Sequence, residues 1–173
     1  KGQRNIFLIR DIRNESYSHA VTTGLLSTLQ GKDKKSIVII NFSNKHEFAA
    51  IASRIEDEKP DAVVYIASGI DAAGIAQQIS KQSVRPFQYG SMWTRLSGII
   101  KYGGKSVEGM VLLTSFINTP PTDKEVHFNT TYQNTFGTEA NFVALNTYEA
   151  INLFAQSARN AQDLSPLELK KSA

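Results

Sequence analysis

The chain has 173 residues, enough for one ordinary domain with its own core, or for one domain with part of another. Hydrophobic residues make up 41% and charged residues 20%, a balance that excludes disordered and collagen-like classes. The net charge of +3 is spread without the dense basic stripe and interleaved aromatics of a nucleic-acid surface, and the lack of cysteine excludes disulfide and thiolate–metal frameworks.

The chain opens Lys1-Gly2-Gln3-Arg4 and passes directly into an apolar run, without a signal peptide, as a mature or trimmed protein would. Asn5 to Ile9 reads as a buried strand ended by Arg10-Asp11. From Glu15 to Leu29 the spacing turns helical, with Tyr17, Val21, Leu25 or Leu26 and Leu29 on one face and Gly31 as a stop. Lys32, Lys34 and Lys35 then form a solvated turn. Ser36 to Phe42 is a second β-branched strand. Asn44 with Glu47 three residues on predicts a capping box for a helix that buries Phe48, Ile51, Ala52 and Ile55.

Pro60-Asp61 breaks the chain, and Ala62 to Ala67 is a third strand. Asp71 opens the next helix, carrying Ile75, Ala76 and Ile79. Phe87 to Gly90 is a short fourth strand, Ser91 to Tyr102 a loop with a short helix, and Gly109 to Thr114 a fifth strand. Strand–helix alternation with near-continuous apolar strands predicts an α/β fold: a doubly wound, mostly parallel sheet covered on both faces. The pattern changes after Ser115. A turn-rich loop from Ile117 to Thr122 leads to a helix from Asp123 to Phe136, ended by Gly137. A longer helix follows from Phe142 to Ala161, with Leu145, Tyr148, Ile151 or Leu153, and Phe154 on its buried face. Ser165-Pro166 starts a last short helix. The expected division is residues 1–116 as the α/β lobe and 117–173 as a crossover with helices.

Catalytic constellations are not found. His19, His46 and His127 stand apart from any candidate nucleophile and read as ordinary surface or half-buried side chains, and no Gly-x-Ser-x-Gly elbow occurs. Gly103-Gly104 lacks the rest of a phosphate-binding pattern and reads as a helix-ending turn. Glu56-Asp57-Glu58 reads as a solvated face rather than a metal site. A response-regulator receiver would need an acidic pair after the first strand and an Asp ending the third. Asp11 stands alone, and Asp71 lies too far past Ala67, better placed as a helix cap. No enzyme activity, metal or cofactor is implied.

Asp11 to Ala20 (DIRNESYSHA), Arg54 to Val64 (RIEDEKPDAVV), Ser106 to Val111 (SVEGMV) and Phe136 to Ala150 (FGTEANFVALNTYEA), taken in this order, resemble the branched-chain amino-acid-type substrate-binding proteins of ABC importers, with the type I periplasmic binding fold. The resemblance runs over nearly the whole chain but covers only part of the family's length. It implies two α/β lobes joined by crossovers, with this sequence beginning at the second. The helix from Phe142 to Ala161 would then pack on the first lobe, or on another chain, and would otherwise expose an apolar face.

In an open parallel sheet, ligands bind beyond the carboxyl ends of the strands, which selects the loops at Asp11–Tyr17, Ser68–Asp71 and Gly90–Thr94. The family places its second-lobe contacts on the same loops. Tyr17 matches a cleft-facing Tyr of the family; its other reading is a core residue at a helix start. Ser68, Gly69 and Ile70 match a loop where relatives often place an aromatic, so small residues there imply a roomier pocket; a plain turn is the alternative. Ser91, Met92 and Trp93 stand where amino-acid binders place the acid that meets the ligand ammonium. The absence of that acid argues against an ordinary α-amino acid, while Met92 and Trp93 would form an apolar or aromatic-recognising wall unless Trp93 packs in the core. The expected ligand-binding set is therefore Tyr17, Ser68, Gly69, Ile70, Asp71, Ser91, Met92 and Trp93. The expected role is an extracytoplasmic solute-binding component that meets a membrane permease of an ABC importer and binds no nucleic acid. The alternative is the sensing domain of a receptor or transcription regulator.

Overall fold

The computed structural model describes residues 5–29, 36–96, 98–114 and 120–172. The expected stop at Gly31, the basic turn at Lys32, Lys34 and Lys35, the opening Lys1–Arg4 and part of the 117–122 loop lie outside them. Two compact units divide the chain, Lys1–Ser115 and Phe116–Ala173.

The first unit is built on five strands: β1 (Asn5–Asp11), β2 (Ser36–Phe42), β3 (Ala62–Ile66), β4 (Phe87–Gly90) and β5 (Val111–Leu112). All pairings are parallel and the spatial order is β2-β1-β3-β4-β5. Side chains alternate across such a sheet, so each central strand has two apolar sets to bury. Phe7 and Ile9 join Val63 and Tyr65 on one face, packed with Ile51 and Ile55 of α2 (Phe48–Glu58) and Ile75 and Ile79 of α3 (Gly69–Ile79). Ile6, Leu8 and Ala62 face the other way, against Leu25 and Leu26 of α1 (Glu15–Leu29). Full burial of each large apolar side chain contributes about 1.5–3 kcal/mol, which is what locks this register.

Local chemistry sets the helix ends. Asn44 and Glu47 form the expected capping box, but through a 3₁₀ turn at Lys45–Glu47 that precedes α2. Lys59, in the left-handed region at φ 46°, ends α2, and buried Pro60 cannot continue it. The α3 helix begins at Gly69 rather than at Asp71. Ser68 is the cap, because its hydroxyl accepts the Asp71 N–H at 3.2 Å. The fifth strand shrinks to Val111–Leu112, since only Tyr89 and Gly90 of β4 are paired with it. The loop after β4 carries two short helices, α4 (Met92–Arg95) and α5 (Ile99–Gly103), with Gly104 ending the latter.

The second unit holds α6 (Asp123–Phe136), α7 (Phe142–Asn160) and α8 (Pro166–Lys171). Thr122 with Glu125 makes a capping box on α6, and Asn141 and Ser165 cap α7 and α8. Phe128 packs on Tyr132 and on Tyr148, with ring centroids 5.7 and 4.6 Å apart. The face of α7 expected to be buried is mostly exposed. Only Leu145 and Ser157 are buried, while Tyr148, Ile151, Leu153 and Phe154 are all exposed. Helical spacing identifies an apolar stripe, but burial needs a facing layer, and the described residues of this unit contain no strand to supply one.

The carboxylate run at Glu56–Glu58 is also more than a solvated face. Glu56 is half-buried and accepts the Ser83 and Val84 N–H groups at 2.9 and 3.1 Å, as well as the Ser83 hydroxyl, which holds the loop entering β4. These bonds, led by the Ser83 side chain, keep its carboxyl below the ordinary value of 4.5. The resulting stability is present above that pH and is lost as pH falls through the lowered folded value. Glu56→Gln is therefore expected to lower the urea midpoint at pH 7 and to flatten its decline below pH 4.5. Parallel acid limbs for the two proteins in denaturation curves would contradict this.

Candidate functional site

The sheet order reverses at β1. The chain steps from β1 to β2 on one side, then returns past β1 to β3 and onward to β5. That reversal leaves a crevice beyond the carboxyl ends of β1 and β3, where the loops diverge to opposite faces. The β1 end brings Asp11, which is 1% exposed, and the 3₁₀ turn Ile12–Asn14 that carries Arg13. The β3 end brings Ser68 and the first turn of α3, with Asp71.

Arg13 spans this crevice. Its Nε donates to Asp11 Oδ1 at 2.9 Å and its Nη2 to Asp11 Oδ2 at 2.6 Å, a two-pronged grip on a buried carboxylate. The same Nη2 reaches Asp71 Oδ2 at 2.5 Å, across 58 residues of sequence. Ser68 Oγ donates to that Asp71 oxygen at 2.8 Å. The hydrogen bond to Asp11 is the main influence raising the Arg13 pKa above its ordinary value; burial opposes it and Asp71 adds to it. The guanidinium therefore stays charged. Its side chain is 50% exposed, against 19% for Asp71, so the crevice presents the cation more than either anion.

Beside it, Tyr17 and Trp93 pack edge to face, with ring centroids 5.6 Å apart at 80°. The Tyr17 hydroxyl accepts the Trp93 backbone N–H at 3.3 Å, which satisfies one of the open donors at the start of α4. Both side chains are half-buried, as is Met92. Ser91 is 4% exposed, and its hydroxyl caps α4 by accepting the Thr94 N–H. Gly69 is buried and shapes the loop, whereas Ile70 is 54% exposed. Of the expected set, the accessible side chains are thus Tyr17, Ser68, Ile70, Asp71, Met92 and Trp93, and all six stand on the β1, β3 and β4 ends.

Two residues escape the sequence reading. Arg13 was legible only as a cation two residues past a strand-end Asp11. Thr94 is fully buried, with its hydroxyl 3.0 Å from the Tyr65 carbonyl and 2.9 Å from that of Ala67, so it ties α4 and hence Trp93 to the end of β3. Among the described residues no group of three or more His, Asp or Glu is placed to hold a metal, and no helix is long and apolar enough to cross a membrane. A recess of about 990 Å³ lies in the second unit along α6 and α7, lined by residues that include Glu125, His127, Tyr148 and Leu153. Asp123, Lys124 and Glu149 also line it.

The sequence model of the family described as periplasmic binding protein matches residues 1–173. No curated protein matches the chain. Among solved structures it is similar to a leucine-binding protein, LivK, from Thermotoga maritima MSB8, with a TM-score of 0.84 and 16% identity over 99% of this chain and 49% of that one. A fatty acid ABC transporter substrate-binding protein from Thermomonospora curvata gives 0.82 and 14% over 99% and 46%. The branched-chain amino acid transporter substrate-binding protein LivJ from Streptococcus pneumoniae, in complex with isoleucine, gives 0.78 and 16% over 98% and 48%. At these identities the likeness establishes the fold, an α/β lobe of the type I periplasmic binding kind. The chain spans about half the length of these structures.

Gly90 allows the close approach of β4, β5 and α4. A Cβ there would stand 2.6 Å from Leu112 Cδ2 and 2.9 Å from Thr94 Cβ. Leu112 can turn aside, but Thr94 is held by two carbonyls, so α4 must move. Gly90→Ala is expected to cost about 1–3 kcal/mol of stability. It should also shift the emission of Trp93, the sole tryptophan, in the folded protein. Unchanged emission and unfolding midpoint would show that α4 accommodates the methyl group in place.

Proposed function

Because the chain belongs to the periplasmic binding protein family, whose members bind solutes, we propose that it is the second lobe of the extracytoplasmic solute-binding component of an ABC importer. Its solute is small, either amino-acid-like or a more apolar or aromatic carboxylate. It is held between the strand ends of this lobe and those of a first lobe. The observation that supports the reading is the edge-to-face pair of Tyr17 and Trp93 at the strand ends where the sheet order reverses, with Ser68, Ile70 and Met92 on the loops after β3 and β4.

Each group has a task in this reading. Tyr17 accepts the Trp93 N–H, which leaves its own proton available to a ligand oxygen. Trp93 and Met92 supply an apolar wall, and Ile70 extends it on the α3 side. Ser91 and Gly69 shape the loops from beneath. Closure of two lobes around the solute creates the surface that a membrane permease recognises. The exposed Ile151, Leu153 and Phe154 of α7 pack on the first lobe, which also explains an apolar stripe too large for a solvated helix.

A second reading is favoured by two relatives described as extracellular ligand-binding receptors, from Verminephrobacter eiseniae and Rhodopseudomonas palustris. In that reading the same site serves a sensor. Permease genes beside the full-length gene favour uptake, whereas fusion to a signalling or DNA-binding domain favours sensing.

The full-length gene product is expected to shift Trp93 emission on titration with one class of solute. The 173-residue chain alone is expected to bind that solute at least about 100-fold more weakly, because half of the contacts are lost. Equal affinity of the two, by calorimetry, would remove the two-lobed site. Silence of the full-length product to a broad solute panel would remove solute binding altogether.

A further inference from the structure

The charges in the crevice are arranged in an order that bears on the solute class. Two carboxylates, Asp11 and Asp71, approach from the two diverging loops, and either could receive a ligand ammonium. Asp11 is closed to it, and Asp71 has one oxygen, Oδ2, already engaged. Both oxygens of Asp11 are engaged by Arg13, and the carboxylate is out of contact with solvent. Asp71 Oδ2 is shared between Arg13 and Ser68. The loop after β4 offers no acid, since it reads Ser91-Met92-Trp93. An ammonium brought to Asp71 would stand within a few ångströms of a guanidinium that is half-exposed and permanently charged. Like charges at that range in a closed cleft repel strongly. By contrast, the Nη1 group of Arg13 makes no hydrogen bond to any described residue and can donate to an incoming oxygen anion.

We propose that Arg13 determines specificity at this site: its guanidinium takes the place a ligand ammonium would occupy between the strand-end carboxylates, and so selects carboxylates that lack a neighbouring ammonium. This inference rests on the solute-binding reading above and narrows it. It assigns the apolar wall of Met92 and Trp93 to the body of the solute and the Arg13 Nη1 edge, with the Tyr17 hydroxyl, to its carboxylate.

The test uses matched pairs that share body and carboxylate and differ only by the ammonium group: 4-methylpentanoate against leucine, and 3-phenylpropionate against phenylalanine. They are titrated into the full-length gene product and followed by Trp93 emission and calorimetry. The acid of the better-fitting pair is expected to bind at least about 10-fold more tightly than its amino acid. Arg13→Gln should weaken the acid by at least about 10-fold and bring the ratio to unity or reverse it, because Asp71 is then released. Arg13→Lys should keep part of the preference, since charge is retained but the two-pronged geometry is lost. Asp71→Asn keeps the Asp11–Arg13 pair, so it guards against loss of fold, and should bind the acid as tightly as the parent or more so.

Tighter binding of the amino acid by the parent protein would overturn the assignment of Arg13 and leave solute binding intact. So would an unchanged acid-to-amino-acid ratio in a folded Arg13→Gln variant, or a broader panel whose sole ligand carries no carboxylate. Silence of the parent protein to every solute in that panel would overturn both.

Discussion

Burial of β1 and β3 from both faces is the constraint on which the rest depends. A parallel strand flanked by neighbours cannot hide both of its side-chain sets against one layer of helices. The set of Phe7, Ile9, Val63 and Tyr65 is met by α2 and α3, and the set of Ile6, Leu8 and Ala62 by α1. Covering both faces requires the connections to run in opposite directions from β1, and that reversal opens the crevice beyond its carboxyl end. The crevice is thus a consequence of core packing. It needs no segment devoted to it beyond the loops that the strands already require.

What lies in the crevice is determined by short-range chemistry laid over that frame. Asp11 is buried beside the end of β1, and an isolated carboxylate there would be costly. Arg13, two residues on, resolves that cost with a two-pronged contact and then reaches Asp71 on the opposite wall. On the β4 side the same economy recurs. The Trp93 N–H at the start of α4 meets the Tyr17 hydroxyl, and Thr94 satisfies carbonyls at the end of β3. Groups that hold the loops together are thus the same groups, or immediate neighbours of those, that the proposed site would offer a solute. Such pre-organisation limits the ordering cost on binding. The second unit carries a different signature, namely well-capped helices with Tyr148, Ile151, Leu153 and Phe154 of α7 exposed.

Much of this was legible beforehand, for a local reason. Strand and helix signals are periods of two and 3.6 residues, written within a dozen positions, so β1 to β4 and α6 were placed with near-observed bounds. The capping box at Asn44 and Glu47 and the stop at Gly137 are equally local. Structure and sequence pattern differ where the outcome depends on distant partners. β5 is short because β4 offers little edge to pair with, α3 starts early because Ser68 caps it, and Glu56 is engaged by a loop 27 residues away.

By itself the sequence determined the class of fold, the order of its elements, and the three loops that a parallel sheet must present at its carboxyl edge. Tertiary structure alone decided which side chains on those loops meet. Arg13 and Asp71 are 58 positions apart, and Tyr17 and Trp93 are 76 apart. No periodicity encodes such pairs, because their proximity arises from strand order, and strand order is chosen by the burial of both faces of the sheet.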